Sequence, residues 1–297
     1  MRLGGPRAAR LSSLASILAL ACGGASGDAA REVIQNKGSD TLVNVAQAWA
    51  ESYGEVDSAV AVAVSGGGSG TGISAMINGT VDIANSSRRM ISSEVAAARA
   101  NGTDPVEHLV GYDALAVYIH AHNPLGVLSM RQLAGIYGDD GTIERWSQLG
   151  IEIPGCPSDE IVRVSRQNNS GTFAYFREAV LGNYDFKLGS HDMHGSKDVV
   201  DLVAHTPCAI GYSGLAYATP EVKTPCLVDG AGDACVAPSM ETALDGSYPI
   251  SRPLLMYTPG DPVGEVRKYL EWVLGEEGQC IMLEAGYTPV ATVECAR

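Results

Sequence analysis

The sequence predicts an α/β fold from two observations. Runs rich in β-branched residues alternate along the chain with runs whose apolar residues recur at helical spacing. Three segments also share one plan, in which a strand leads through a turn of Ser, Thr and Gly into a helix, and they start near Glu32, Ala59 and Ile161. The chain of 297 residues is long enough for two domains of this kind.

Residues 1–22 are typical of a secretory signal. A start with three arginines precedes a short apolar run, and Cys22 follows directly. The apolar run is too short to span a bilayer. Residues 18–22 (LALAC) are similar to a bacterial lipoprotein box, although one position departs from it, and they predict a lipid anchor on Cys22. The alternative is an ordinary signal peptide cut a few residues later. Residues 23–31 are interpreted as a flexible tether.

The cysteine count fits this interpretation. Seven cysteines is an odd number for an exported protein, and lipidation of Cys22 leaves six. Six cysteines allow three disulfides in several connectivities, and an oxidising compartment suits them. The absence of C-x-x-C spacing disfavours a zinc or thioredoxin-like site. Proximity along the chain suggests three pairs: Cys226–Cys235, Cys280–Cys295 and Cys156–Cys208.

The chain is acidic, with a formal net charge of −14 at pH 7. The signal carries three arginines and no acid, so its removal makes the chain more acidic still. This balance argues against nucleic acid or an anionic membrane surface as a partner. An anionic ligand would be opposed by the long-range field and would have to be held by short-range, desolvated hydrogen bonds.

The three similar units are justified by their apolar spacing. Their strands cover 32–34, 59–64 and 161–164, and their turns cover 38–41, 65–72 and 166–172. The residues expected to face inward from the three helices are Leu42, Val45, Ala46, Trp49 and Tyr53, then Ile73, Met76 and Ile77, then Phe173, Phe176 and Val180.

Further elements follow from the same criteria. A short strand over 81–84 leads into a polar turn over 85–89. A helix over 263–274 is expected to end at Gly275. Other buried strands are expected at 114–119, 209–212 and 253–257.

The turns at the strand ends are suited to bind a small oxyanion. Backbone N–H groups at a helix N-terminus are unpaired and carry partial positive charge, and hydroxyl side chains add donors. In an open α/β sheet, ligands bind beyond the carboxyl ends of the strands, and Arg166 adds a guanidinium that can pair with two oxygens at once. A single Ser or Thr before a helix is ordinarily an N-cap, so the prediction depends on three such turns occurring together.

The sequence carries no recognised enzyme motif. Thr71 stands where a nucleophile elbow needs its last Gly, and no P-loop, strict G-x-G-x-x-G or H-E-x-x-H motif occurs. The pairs His120/His122 and His191/His194 have the spacing of metal ligands, but such pairs are more often solvated or capping residues. We therefore expect no catalytic activity, no metal and no cofactor.

Six motifs occur in a fixed order between residues 33 and 290. They are GSDTLVNVAQAW, VSGGGSGTGISAMINGTVDIANSSR, SRQNNSGTFAYF, TPCAIGY, YPISRPLLMYTPGDPVG and GYTPV. With these motifs the chain resembles the substrate-binding proteins of bacterial phosphate ABC importers, in their shorter, lipoprotein-like branch. The resemblance covers nearly the whole mature chain.

The resemblance implies a periplasmic-binding-protein type II fold, in which two crossing strands join two α/β lobes and the ligand lies in the cleft. Lobe one is expected at 32–113 and 254–297, and lobe two at 114–253, with hinges near 113–117 and 251–255. The implied function is non-enzymatic: a monomer at the periplasm or cell surface binds inorganic phosphate and delivers it to the permease and ATPase subunits of an importer.

The family's phosphate-binding positions fall on specific residues of this chain. The turn over 166–172 is rich in hydrogen-bond donors. The resemblance accounts for them, because it implies that an oxyanion docks there. The positions that the resemblance assigns to the anion site are Ser39, Asp40, Thr41, Ser69, Arg166, Ser170, Gly171 and Thr172.

One departure from the family pattern concerns selectivity. Many members place an aspartate in the turn after the VDIA strand, where it accepts the proton of hydrogen phosphate and so disfavours sulfate. Here Ser87 holds that position and Arg88 follows. We expect both to contact the ligand and Asp40 to serve as the proton acceptor. The alternatives are a helix-capping carboxylate for Asp40 and a surface salt bridge for Arg88.

Three other functions are compatible with the sequence. The same fold could bind sulfate, molybdate or tungstate. An exported serine hydrolase could use Ser69 or Ser170 as its nucleophile. A surface or adhesion protein could have kept the fold without transport.

Overall fold

The computed structural model describes residues 31–295, where strands and helices alternate and confirm the predicted α/β class. The strands are β1 (Glu32–Gly38), β2 (Val60–Ser65), β3 (Ile83–Ser86), β4 (Val106–His120), β5 (Val127–Ser129), β6 (Val162–Arg166), β7 (His191–Met193), β8 (Ala209–Gly214), β9 (Val222–Lys223), β10 (Cys226–Val228) and β11 (Ser251–Thr258). The helices are α1 (Val43–Val56), α2 (Ser69–Ile77), α3 (Ser92–Ala100), α4 (Met130–Tyr137), α5 (Gly171–Ala179), α6 (Ser196–His205), α7 (Met240–Leu244), α8 (Gly264–Val273) and α9 (Glu276–Glu284). Short 3-10 turns lie at Trp146–Leu149 and Leu215–Tyr217.

The predictions for the N-terminal segment fall outside this range. The signal, the lipid anchor on Cys22 and residues 23–30 of the tether lie outside the described residues, and Arg31 is the first residue described. Among residues 31–295, no helix is long and apolar enough to cross a membrane.

One sheet runs through the molecule in the order β2-β1-β3-β11-β4-β8-β6-β7, and β9 pairs with β4. β1, β2 and β3 are parallel, as are β6, β7 and β8, whereas β4 and β11 run antiparallel to their neighbours. β4 pairs with β11 up to Ala114 and with β8 from Leu115 onward. Because β4 changes partner within its length, the sheet divides into two lobes that share this strand.

Each lobe has its own hydrophobic core. In the lobe of β1–β3, Trp49 of α1 is fully buried and its indole N–H donates to Gly278 O at 2.6 Å. In the other lobe, the indole of buried Trp146 donates to Cys208 O at 3.0 Å. The buried members of the core clusters lie either in 34–110 and 254–287 or in 114–250. This division is compatible with the predicted lobe boundaries after residues 113 and 253, which we retain as a proposal.

The predicted elements differ from the observed ones in a few places. The inward faces are confirmed for α1, but Ile77 of α2 and Phe173 of α5 are only partly buried. β4 has 15 residues, far more than predicted, because both of its halves have partners. Gly275 does not end α8: Leu274 caps that helix, and Gly275 is the N-cap of α9, which the sequence analysis missed.

Three disulfides lie within the lobes. They join Cys156 to Cys208, Cys226 to Cys235 and Cys280 to Cys295, the pairs that proximity along the chain suggested. Each bond stays on one side of the proposed lobe boundaries, so the described disulfides leave the lobes free to move relative to one another.

The first two disulfides allow a test within one lobe. The Cys156–Cys208 bond spans 52 positions and the Cys226–Cys235 bond spans 9. In the chain-entropy model a longer loop loses more freedom in the unfolded state, so we expect losses of about 4 kcal/mol for C156A/C208A and about 3 kcal/mol for C226A/C235A. Urea unfolding of residues 31–297 measures both losses. A larger loss for the shorter loop would contradict the prediction.

Candidate anion-binding site

The turns that follow β1, β2 and β3 meet at one edge of the sheet, because the three strands are parallel and adjacent. The turn that follows β6 faces them from the other lobe. Gly70 N–H donates to Asn169 O at 3.0 Å, and Asn169 Nδ2 donates to Gly67 O at 2.9 Å, so the lobes touch at this edge. Predicted site residues that are buried here are Ser39, Thr41, Ser69, Ser87, Arg166, Ser170, Gly171 and Thr172.

Three helices begin at this cleft. They are α1 at Val43, α2 at Ser69 and α5 at Gly171. Ser170 is the N-cap of α5, and its Oγ accepts a hydrogen bond from Thr172 N–H at 3.1 Å. The first N–H groups of a helix have no partner inside it and carry partial positive charge. Three such ends around one cleft are the arrangement that binds an anion.

Two glycines permit the close approach of the lobes. Gly68 has a φ of +91°, and a Cβ placed there would lie 2.5 Å from Asn169 O. A Cβ on Gly171 would lie 2.1 Å from Ser69 Oγ and 2.6 Å from Ser87 Oγ. Any larger residue at either position would separate the two sides of the cleft.

Arg166 and Asp40 form an ion pair across the cleft. Arg166 Nη2 donates to Asp40 Oδ2 at 3.1 Å and to His194 O at 2.8 Å, while Nη1 donates to Ser196 Oγ at 3.0 Å. Asp40 Oδ1 accepts from Gly67 N–H at 2.8 Å. Burial lowers the pKa of Arg166, and the nearby Asp40 carboxylate opposes this shift. Asp40 thus lies in the cleft, with one carboxylate oxygen bonded to each lobe.

Two tyrosines fix the turn that carries Asp40. Tyr217 Oη donates to Asp40 O at 2.7 Å and to Thr41 O at 3.3 Å. Tyr287 Oη also donates to Thr41 O. Burial raises the pKa of Tyr217 to about 12, so it keeps its proton and remains a donor at neutral pH.

The turn after β3 carries two neighbouring predicted site residues. Ser87 lies in the cleft, whereas Arg88 is bound to its own lobe. Ser87 N–H donates to Ser69 Oγ at 3.1 Å, and the two hydroxyl oxygens are 3.4 Å apart. Arg88 instead donates to both carboxylate oxygens of Glu94 at 2.7 and 2.8 Å. Glu94 also accepts from Ile91 N–H at the start of α3. This geometry matches the salt-bridge alternative for Arg88.

Sequence reasoning missed one cation of the cleft. Arg252 of β11 is fully buried and donates to Asp113 Oδ2 from Nε at 3.0 Å and from Nη2 at 2.7 Å. Its side chain also reaches Thr41 and Thr172. The sequence did offer an indication of this pair. Asp113 and Arg252 both lie within apolar strand sequences, where a buried charge needs a partner.

The hydrolase and metal alternatives gain no support from the described part of the chain. Ser69 Oγ contacts Ser87, and Ser170 Oγ accepts from Thr172 N–H, so neither serine has a histidine among its hydrogen-bond partners there. Within residues 31–295, no three His, Cys, Asp or Glu side chains are grouped to hold a metal ion.

A two-lobed α/β fold in which turns at helix N-termini face one another across a cleft defines a class of binding proteins. Residues 23–277 match the model of the PBP superfamily domain. The phosphate-binding protein PstS of Pseudomonas aeruginosa is 34% identical over 269 residues, which cover 86% of this chain and 83% of that protein. The chain belongs to the PBP superfamily and, within it, to the family of PstS phosphate-binding proteins.

Solved structures agree with this assignment. A candidate phosphate ABC transporter substrate-binding protein from Clostridium perfringens, crystallised with bound phosphate, superposes with a TM-score of 0.76 at 27% identity and covers 88% of this chain and 100% of that one. An ABC-type phosphate transport receptor from Vibrio cholerae superposes with a TM-score of 0.70 at 25% identity and covers 87% of this chain and 100% of that one. The fold expected from the sequence motifs is confirmed.

The contact at Gly171 predicts a variant that folds but does not close. In G171A the new methyl group would lie 2.1 Å from Ser69 Oγ and 2.9 Å from Ser69 Cβ, so turning the serine side chain does not relieve the overlap. The clash is with the other lobe, and alanine is favoured in a helix. We expect an unchanged melting temperature without ligand, a larger radius of gyration by small-angle X-ray scattering and a loss of anion binding.

The matched control is G54A. Gly54 lies in α1 and a Cβ there would meet nothing within 4 Å. This variant should scatter and bind like the unmodified protein. Closure and binding by G171A equal to those of G54A would show that the observed contact does not limit the cleft.

Proposed function

We propose that this protein binds inorganic phosphate outside the cytoplasm and delivers it to the permease of an ABC importer. The observation that carries the proposal is the convergence of three helix N-termini and Arg166 on one buried cleft. Relatives named as phosphate-binding proteins and phosphate transport receptors support the ligand and the transporter. The protein acts as a carrier and not as an enzyme.

The cleft would hold the anion by hydrogen bonds in place of net charge. Asp40 offsets Arg166, and Asp113 offsets Arg252, so the charged groups described above sum to zero before the ligand enters. Backbone N–H groups and hydroxyls at the helix ends then supply the attraction, which is stronger than in water because these residues are buried. This fits an acidic protein, whose long-range field does not attract anions.

The proposed ligand contacts come from both lobes. Arg88 keeps the place in this set that the resemblance gives it, and Glu94 accepts hydrogen bonds from both of its Nη atoms. The proposed phosphate-binding residues are Ser39, Asp40, Thr41, Ser69, Ser87, Arg88, Arg166, Ser170, Gly171 and Thr172.

Asp40 is the proposed source of selectivity. Each of its carboxylate oxygens accepts one hydrogen bond, from Gly67 N–H or from Arg166, and a carboxylate oxygen has a further lone pair for a proton donor. Hydrogen phosphate brings such a proton and sulfate does not. A sulfate oxygen beside Asp40 would face a second negative charge without a hydrogen bond, which disfavours sulfate.

Calorimetric titration of the mature protein tests the proposal. We expect phosphate to bind at pH 8 and excess sulfate to leave that binding unchanged. In D40N an amide N–H₂ replaces an acceptor oxygen, so we expect phosphate affinity to fall about 10- to 100-fold and sulfate to compete more effectively.

The control for D40N is D104N, which removes the same charge from an exposed side chain. It should keep both the affinity and the selectivity. Displacement of phosphate by sulfate from the unmodified protein would assign the site to tetrahedral oxyanions in general. Absence of any oxyanion binding would overturn the proposed function.

We also propose that the protein is exported and anchored by a lipid on Cys22, and acts as a monomer. The support is the sequence of residues 1–22 and the three disulfides, which suit an oxidising compartment. Residues 23–31 would let the binding domain reach its permease from the anchor.

Replacement of Cys22 tests the anchor. We expect the full-length protein to fractionate with membranes and C22S to appear in the soluble extracytoplasmic fraction, because the thiol that carries the lipid is gone. Fractionation followed by mass spectrometry of the N-terminal peptide measures both. An unmodified Cys22, or a mature N-terminus beyond it, would support the ordinary signal peptide instead.

A further inference from the structure

A buried ion pair lies where the chain crosses between the lobes. Arg252 of β11 and Asp113 of β4 are direct partners in the antiparallel register, one residue before β4 leaves β11. Their side chains are 0% and 1% exposed, and the Nη2–Oδ2 distance is 2.7 Å. Asp113 Oδ1 also accepts from Leu215 N–H at 3.2 Å. A charge pair held this firmly fixes the guanidinium relative to both crossing strands.

The other end of this guanidinium reaches one threonine from each lobe. Arg252 Nη2 donates to Thr41 Oγ1 at 3.2 Å, and Nη1 donates to Thr172 Oγ1 at 2.9 Å. The two threonine oxygens are 3.2 Å apart. Thr41 belongs to the turn after β1, and Thr172 to the first turn of α5. Both turns are part of the proposed anion site, so Arg252 lies directly behind it.

The direction of these hydrogen bonds determines what the threonines can offer a ligand. An arginine only donates, so both hydroxyl oxygens accept from Arg252. Each hydroxyl has one proton, and the Thr41–Thr172 contact uses at most one of the two. At least one hydroxyl proton therefore remains to donate elsewhere, and the hydroxyls lie in the cleft of the anion site.

We propose that Arg252 is a positioning residue for anion binding: it makes the Thr41 and Thr172 hydroxyls donors to the bound anion, and it does so when the two lobes are together. The inference rests on the proposed function, since it assigns roles within the same site. Asp113 holds the guanidinium in place and neutralises it, so Arg252 orients donors without making the empty cleft positive. The sequence motifs that indicated the family assigned no role to either residue.

The planar fork of arginine is essential to this role. Nε and Nη2 bond to Asp113 while Nη1 and Nη2 bond to the two threonines, so four hydrogen bonds use four of the five N–H groups. Lysine has one nitrogen on a flexible stem and cannot reproduce the fork. R252K therefore keeps the charge opposite Asp113 and loses the orientation of the hydroxyls.

A double-mutant cycle on the mature protein, with inorganic phosphate as the probe, tests the inference. We expect R252K and T172V each to weaken phosphate binding about 10- to 100-fold. In the R252K background, T172V should cost less than about 3-fold more, because the hydroxyl that it removes is no longer oriented. A purely structural role for Arg252 would lower the melting temperature and leave the T172V effect at its full size.

Two further variants serve as controls, one for a folding defect and one for a loss of phosphate affinity that any threonine substitution would cause. D113N/R252Q removes both charges together, so it leaves no unpaired buried charge, and it should show the same loss of affinity and the same non-additivity with T172V. T80V removes an exposed threonine hydroxyl that donates to Ala75 O, outside the site, and should bind like the unmodified protein.

The outcomes separate this inference from the proposed function. If the unmodified protein binds phosphate and the Arg252 variants bind it equally well, or if their effects add to that of T172V, the positioning role is wrong and the function stands. If the unmodified protein binds neither phosphate nor sulfate, both are wrong. Weakened, non-additive binding in R252K and in D113N/R252Q supports both.

Discussion

Asp113 and Arg252 form a buried ion pair where β4 and β11 cross between the lobes. Through Arg252 this pair contacts a threonine of the cleft in each lobe. Removing two charges from water is costly unless they meet with good geometry and further hydrogen bonds. A shift of one strand by one residue would turn its charged side chain to the other face of the sheet and separate it from its partner. The pair therefore favours one register for the crossing strands, and its guanidinium also bonds to Thr41 in the turn after β1 and to Thr172 in the first turn of α5.

The charges of the cleft explain how an acidic protein can accept an anion. Arg166 pairs with Asp40 and Arg252 pairs with Asp113, so neither guanidinium is an isolated positive charge. Isolated buried cations would destabilise the folded protein, whereas the helix ends supply partial charges that the backbone carries in any case. Recognition then depends on the number and direction of short hydrogen bonds. Such recognition is sensitive to the shape and protonation of the anion as well as to its charge.

The two lobes can approach closely only where no side chain projects between them. Gly68 and Gly171 bring backbone against backbone and against serine side chains, where any Cβ would overlap with the opposite side. Tyr217 crosses the same boundary to reach the turn that carries Asp40. The described disulfides stay within single lobes. The molecule thus combines two lobes, each with its own core and disulfides, with a boundary of close glycine contacts and reversible hydrogen bonds. This arrangement suits a protein that captures and releases a ligand.

The sequence by itself determined the elements whose signal is local. The apolar spacing of Val45, Trp49 and Tyr53 predicts α1 because a helix buries one face whatever it packs against. The turns after β1, β2 and β6 were found because Ser, Thr and Gly at a helix start have a local reason to be there. Motif order indicated the family and its two-lobed fold, since it preserves topology.

The tertiary structure decided what depends on residues distant in sequence. Arg252 and Asp113 are 139 positions apart, and only strand pairing shows that they meet. The length of β4 depends on having partners in both lobes, and the assignment of Gly275 to the start of α9 depends on a helix that local spacing did not reveal. Arg88 and Ser87 are neighbours in the sequence, yet Glu94 holds one on its own lobe while the other lies in the cleft. Hydrogen bonds and ion pairs depend on distance in space, which a single sequence does not contain.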